Sequence, residues 1–213
     1  MDKPIMRGWL HAAVVPLALI VTAALSYQVS DDPILLTAIL IYGVSLVGSY
    51  LASAAFHLGT WSGRSYSVFH ALDRAFIFLL IAGTYTPIVV GVLDGWWRIV
   101  VLVVVWTVAG LGAGLSGLLV SLPRWVSTSL YLALGWFAVT TAPSLAAALS
   151  PPLVGLIVAG GVFYSIGAVI YARKRPDPLP RWFGYHEVFH VFVIAGSTAF
   201  LLVIWDLVST GPL

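Results

Sequence analysis

Apolar residues occur along this chain in long blocks that are separated by short polar breaks. A membrane-spanning helix needs roughly 20 predominantly apolar residues, and the blocks are of that length. The breaks contain turn formers or charges, as in Asp31-Asp32-Pro33 and Ser150-Pro151-Pro152. The pattern therefore predicts seven spans: Trp9 to Tyr27, Pro33 to Phe56, His70 to Val92, Trp96 to Val120, Trp125 to Leu149, Leu153 to Ala172 and Gly184 to Val208.

Composition makes the lipid bilayer the solvent of this protein. Of its 213 residues, 61% are hydrophobic and 8% are charged, whereas about a quarter of residues are charged in a soluble globular domain. We therefore expect an all-α fold: a seven-transmembrane helix bundle that forms a single integral membrane domain over residues 1–213. Membrane lipids are its expected partners, and nucleic acid is not. The lack of a small-x-small cleavage site after the first block favours a retained helix over a signal peptide.

The distribution of basic residues predicts the orientation of the bundle. Loops rich in Lys and Arg are retained in the cytoplasm. With seven spans, the N-terminus and the loops after spans two, four and six share one side, while the opposite side has only Arg98. We therefore expect the N-terminus in the cytoplasm and the C-terminus outside. The basic residues on the cytoplasmic side are Lys3, Arg7, Arg64, Arg74, Arg124, Arg173, Lys174, Arg175 and Arg181.

Histidines near the span ends are the main candidates for chemistry. His186 and His190 are four residues apart at the head of the last span, so a helix places both on one face. Span two ends in Ser53-Ala-Ala-Phe-His57, with the same spacing, and Asp73 lies near the start of span three. Because span two runs inward while spans three and seven start inside, these side chains are expected at one depth, near the cytoplasmic end.

This set of side chains predicts a zinc site. The chain has no cysteine, so any metal must be held by nitrogen and oxygen. Three neutral imidazoles, from His57, His186 and His190, suit a catalytic zinc site that keeps its fourth position for water. Asp73 could then hold or deprotonate that water, and Ser53 could hydrogen-bond to the site.

Packing offers other interpretations of the same residues. A single intramembrane His often forms a helix–helix hydrogen bond, and Ser53 can bond its own i−4 carbonyl. Asp73 can instead pair with Arg74 or with His70 one turn back. Four of the chain's few ionisable residues at one depth are nevertheless hard to explain by packing alone.

Three further residues stay outside the proposed ligand set. His70 suits either a supporting role beside Asp73 or a position at the membrane interface, and His11 is expected to cap or line a cavity. Glu187 points about 100° away from His186 around the helix. It is therefore expected to pair with a basic loop residue and not to bind the metal.

Three motifs, in this order, resemble those of the bacterial hemolysin III proteins. Those proteins are similar to the progestin and adipoQ receptor family, which includes the adiponectin receptors. The resemblance covers nearly the whole chain, from Arg7-Gly8-x-x-His11 to the last helix. The motifs are Ser53-x-x-x-His57, Asp73-Arg-Ala-Phe-Ile-Phe-Leu-Leu-Ile-Ala-Gly-Thr-Tyr-Thr-Pro87 and His186-Glu-Val-Phe-His190.

The resemblance implies a seven-helix bundle with zinc bound by His57, His186 and His190. It also implies that Ser53 and Asp73 contact the site or its water. The sequence departs from the family's pattern at two places: Arg74 stands where relatives often have His, and Thr198-Ala199-Phe200 follows where a further His is common. Neither departure removes a proposed ligand, but both question a role for extra histidines in proton transfer or metal delivery.

Two main hypotheses for the function follow. The first is a zinc-dependent intramembrane hydrolase of an amide or ester bond in a lipid bound within the bundle, with Asp73 as general base and Ser53 as its assistant. A ceramidase-like substrate class is implied by the wider family. The second is a receptor-like or membrane-regulatory protein with structural zinc. A pore-forming hemolysin is disfavoured, because seven hydrophobic helices without a soluble secreted form suit a resident of the bacterial inner membrane.

Overall fold

The computed structural model describes residues 4–119 and 123–210, and these form a bundle of helices. The predicted cytoplasmic residue Lys3 and the predicted end of span four at Val120 lie outside the described residues. The helices are α1 (Trp9–Gln28), α2 (Pro33–Leu58), α3 (Gly63–Val92), α4 (Gly95–Gly114), α5 (Ser116–Leu119), α6 (Arg124–Trp136), α7 (Ala142–Ala148), α8 (Pro151–Arg173) and α9 (Tyr185–Thr210), with a 3-10 segment at Phe137–Thr141.

Seven helical stretches of the described chain are long and apolar enough to cross a membrane, which confirms the predicted all-α class and number of spans. The fifth stretch, Arg124–Ala148, consists of α6, the 3-10 segment and α7. α3 begins at Gly63, two turns before the predicted start at His70, because hydropathy measures apolar length and the first turns of α3 are polar. α4 ends at Gly114, earlier than predicted.

The start of α2 shows how the sequence sets the position of a site-bearing helix. Oδ1 of Asp32 accepts hydrogen bonds from the backbone N–H groups of Ile34 (2.9 Å) and Leu35 (3.0 Å). Pro33 occupies the first helical position, where its missing N–H costs nothing. Capping by Asp and a following Pro both favour a helix start, and the predicted start at Pro33 is confirmed.

Close packing holds α2 and α3 side by side. Gly83 of α3 lies against Ser45 of α2, so that a Cβ atom at Gly83 would be 2.7 Å from the Ser45 Cβ. Small residues at such positions let membrane helices approach each other closely. α2 also packs along α1, and α8 packs along α9.

The outer faces of the spans are apolar. Ile20 is 66% exposed and Val44 is 69% exposed. Apolar surface of this extent is rare on a soluble monomer, and it suits contact with lipid chains.

The fifth span is interrupted near its middle. α6 ends at Trp136 and the 3-10 segment follows. The Tyr85 hydroxyl of α3 donates to the carbonyl oxygen of Gly135 at 2.8 Å and lies 3.1 Å from that of Leu134. A carbonyl that leaves the regular helical pattern inside a membrane needs another donor. Tyr85 therefore stabilises the interruption.

Candidate metal centre

Three buried histidines meet at one end of the bundle. His57 lies in the last turn of α2, and His186 and His190 lie one turn apart at the start of α9. Each offers one ring nitrogen, and these nitrogens all lie within 4.8 Å of one another. His190 is only 1% exposed. Among the described residues this is the one group of three that could hold a metal ion, and we call it the histidine cluster.

One pair of ring nitrogens in the histidine cluster is spaced as two ligands of a metal ion are. Nε2 of His57 is 3.1 Å from Nε2 of His186. Nitrogens bound about 2.0–2.1 Å from a tetrahedral zinc ion lie roughly 3.3 Å from each other. Imidazole nitrogens are also donors that zinc accepts readily. The spacing of this pair and the imidazole chemistry suit such a site, and all three nitrogens lie within 4.8 Å of one another.

Asp73 and Ser53 border the histidine cluster. Oδ2 of Asp73, from α3, is 4.0 Å from Nε2 of His57, and the Asp73 side chain is 18% exposed. The Ser53 hydroxyl, one turn before His57, lies beside the Asp73 carboxyl. A carboxylate at this distance can orient a small polar molecule near the imidazoles or accept its proton. The structure thus brings the predicted site residues together, while their chemical roles stay predictions.

Two other histidines lie close by. The ring of His11, from α1, stacks on that of His190 with centroids 3.8 Å apart and planes 13° apart. His11 also lines a cavity beside the histidine cluster, as expected. His70 stacks on Phe56 at 4.9 Å and does not belong to the group of three. It is half-buried beside the cavity, and its role stays a prediction.

Glu187 forms the ion pair that was expected for it. Its partner is Arg7, from the segment before α1, whose Nε donates to the Glu187 carboxylate. The same carboxylate accepts a hydrogen bond of 2.8 Å from the backbone N–H of Gly184. The Glu187 side chain is completely buried. Spacing along α9 predicted that Glu187 would face away from the histidine cluster, but the partner depends on tertiary contact and was not predictable.

A partly open cavity of about 710 Å³ adjoins the histidine cluster. The three clustered histidines and Asp73 line one end of it. Its lining residues on α9 include both His186 and Phe200, which lie roughly 21 Å apart along the helix axis. The cavity volume lies within the usual range for small-molecule sites. It can therefore take a long apolar molecule with a polar group at the histidine cluster. Residues at the far end are Ile88, Leu145, Val154 and Phe200.

Seven apolar spans and a buried histidine cluster that faces a cavity define a multi-pass membrane protein with a candidate metal centre. The sequence matches the family described as haemolysin-III related over residues 1–201. The chain belongs to this family, and the resemblance inferred from its motifs is confirmed.

The chain is also similar to individual members. A hemolysin-3 homolog of Bacillus subtilis is 35% identical over 159 residues, which cover 75% of this chain and 71% of that protein. Hemolysin-3 of Bacillus cereus is 32% identical over 172 residues, covering 80% and 75%. The human monocyte to macrophage differentiation factor is 26% identical over 203 residues, covering 91% and 79%. This animal protein supports the expected link to the progestin and adipoQ receptor family.

Proposed function

We propose that this protein is a zinc-dependent intramembrane hydrolase that cleaves an amide or ester bond of a membrane lipid. The observation that carries the proposal is the histidine cluster, which opens beside Asp73 into a cavity with apolar walls. His57, His186 and His190 would hold the ion. Zinc in such a site acts as a Lewis acid that polarises a scissile carbonyl and eases the ionisation of water.

Asp73 acts as the general base of the proposed reaction. It accepts a proton from the attacking water and passes it to the leaving amine or alcohol, a role supported by the 4.0 Å distance from its Oδ2 to Nε2 of His57. Ser53 lies beside this carboxyl and orients it or the water. Both side chains come from helices that pack closely, which favours a fixed geometry.

The cavity selects for a lipid. Its far walls are apolar and hold an acyl chain, while the reactive bond lies at the histidine cluster. Ceramides, the substrate class implied by the resemblance, carry an amide bond where the acyl chain meets the polar part of the molecule. The proposed location is the bacterial inner membrane, with the histidine cluster near the cytoplasmic face, as the distribution of basic residues favours.

Lipid hydrolysis by the purified protein tests the proposal. The zinc-loaded protein is offered ceramides and other acyl lipids. Asp73→Asn should keep its zinc yet lower turnover by about 10²- to 10⁴-fold, the usual contribution of a general base. Asp206→Asn is the matched control, because Asp206 lies near the other end of α9. The hydrolase proposal is wrong if none of these lipids shows turnover that depends on His186.

Structural zinc in a receptor-like or regulatory protein is the second candidate. It is favoured by the origin of the ligands, since His57 and His186 are 129 residues apart and would be joined by one ion. In that case removal of zinc lowers the thermal stability of the protein, while Asp73→Asn leaves its receptor-like or regulatory activity intact. The same Asp73→Asn variant therefore separates the two candidates.

A further inference from the structure

The segment of residues 4–11, before and at the start of α1, lies against the histidine cluster. Its backbone is tied to the loop before α9 by hydrogen bonds of 3.1 Å from the Ile5 N–H to the Arg181 carbonyl and from the Met6 N–H to the Trp182 carbonyl. We propose that this N-terminal segment is a wall of the metal centre, in which Arg7, Gly8 and His11 position the three ligand histidines. The inference rests on the metal site of the proposed function.

Arg7 fixes the start of α9. A buried carboxylate is stable only when it is paired and hydrogen-bonded, and the fully buried Glu187 is bonded by both Arg7 and the Gly184 N–H. Glu187 follows His186 directly and precedes His190 by less than one turn. Its ion pair therefore sets the rotation of the helical turn from which both ligands project.

Gly8 supports His57. Its φ of +87° is in the left-handed region that favours glycine. It is buried, and a Cβ atom at this position would lie 2.9 Å from the Cβ of His57. The backbone of the N-terminal segment therefore packs directly against the third ligand, and any side chain here would displace it.

His11 supports His190. The two rings are stacked, and both ring nitrogens of His11 are buried without a hydrogen-bond partner among the described residues. Nδ1 of His190 is likewise buried and unpartnered there. A metal-binding His commonly donates its second nitrogen to a carboxylate, carbonyl or water that fixes the ring. Here the flat face of His11 fixes it by contact, so His11 is a positioning residue that acts through its ring.

Zinc release from the full-length purified protein tests this inference. Gly8→Ala should release zinc to a chelator about 10- to 100-fold faster than wild type, the usual effect of losing support around a ligand. Gly95→Ala is the matched control, because Gly95 also has a positive φ (+59°) but nothing lies within 4 Å of an added Cβ. Gly95→Ala should therefore release zinc at the wild-type rate.

Two further comparisons separate the contacts. His11→Ala should accelerate release, whereas His11→Phe keeps a stacking ring and should behave as wild type. Arg7→Gln and Glu187→Gln should each accelerate release, and the double variant should be no worse than the more affected single one, because both remove the same interaction. Circular dichroism and monodisperse elution identify the variants that fold. If Glu187→Gln does not fold, the Gly8 and His11 comparisons alone test the N-terminal wall.

The outcomes distinguish this inference from the proposed function. Equal release rates in Gly8→Ala and Gly95→Ala, or a wild-type rate in His11→Ala, would overturn the N-terminal wall while leaving the hydrolase proposal intact. Accelerated release in a protein that hydrolyses no lipid would support the wall and reject the hydrolase. A wild-type protein that binds no zinc would overturn both.

Discussion

His57 is the only member of the histidine cluster that α2 contributes. We expect His57→Ala to abolish stoichiometric zinc binding, because two imidazoles alone do not complete a site that uses three protein ligands. His70→Phe is the matched control, since it removes a neighbouring imidazole and keeps the ring that stacks on Phe56. Metal analysis of the purified proteins measures the effect. Equal zinc in wild type and His57→Ala would refute the ligand set.

At the residue scale, local geometry explains what could be predicted. The spacing of His186 and His190 puts them on one helical face, and alternating helix directions bring His57 and Asp73 to the same end of the bundle. Spacing and helix direction could not predict the contacts of Arg7 with Glu187 and of His11 with His190. Arg7 and Glu187 are 180 residues apart, and no spacing rule connects contacts of that range.

At the scale of the helix, Gly83 controls the contact between the two helices that carry Ser53, His57 and Asp73. Gly83→Ala should lower the free energy of unfolding by roughly 1–3 kcal/mol, because its Cβ would overlap the short side chain of Ser45. Gly110→Ala, in α4, meets no atom within 4 Å and should be neutral or slightly stabilising. Thermal unfolding in detergent compares them. Equal stability of the two variants would argue against close packing of α2 and α3.

Hydropathy predicted the number of spans, but it did not predict where a helix is interrupted within a span. The number of spans and the start of α2 follow from apolar length and from the Asp32-Pro33 cap. The interruption of the fifth span cannot be predicted from hydropathy, because it depends on the Tyr85 hydroxyl of another helix, which donates to the carbonyl of Gly135. The apolar block from Trp125 to Leu149 has the same hydropathy whether its helix is continuous or broken.

At the scale of the whole molecule, the orientation can be tested directly because the chain has no cysteine. We expect Lys174→Cys to be protected in intact cells from a membrane-impermeant thiol reagent, and Asp94→Cys to be labelled. Both side chains are exposed, so each introduced thiol is free to react. Labelling after cell lysis controls for reactivity. The opposite pattern would reverse the orientation predicted from the basic loops.

The pairing of Arg7 with Glu187 also has a consequence for biosynthesis. At a synthesis rate of about 5–20 residues per second, roughly 9–36 s separate the two ends of this pair on the ribosome. His57 likewise cannot contact His186 and His190 until the last helix has been synthesised. A nascent chain therefore has no complete histidine cluster until its final span is inserted. In the proposed zinc enzyme, the ion would therefore bind only at the end of assembly, because a chain that stops before α9 lacks His186 and His190, two of the three proposed ligands.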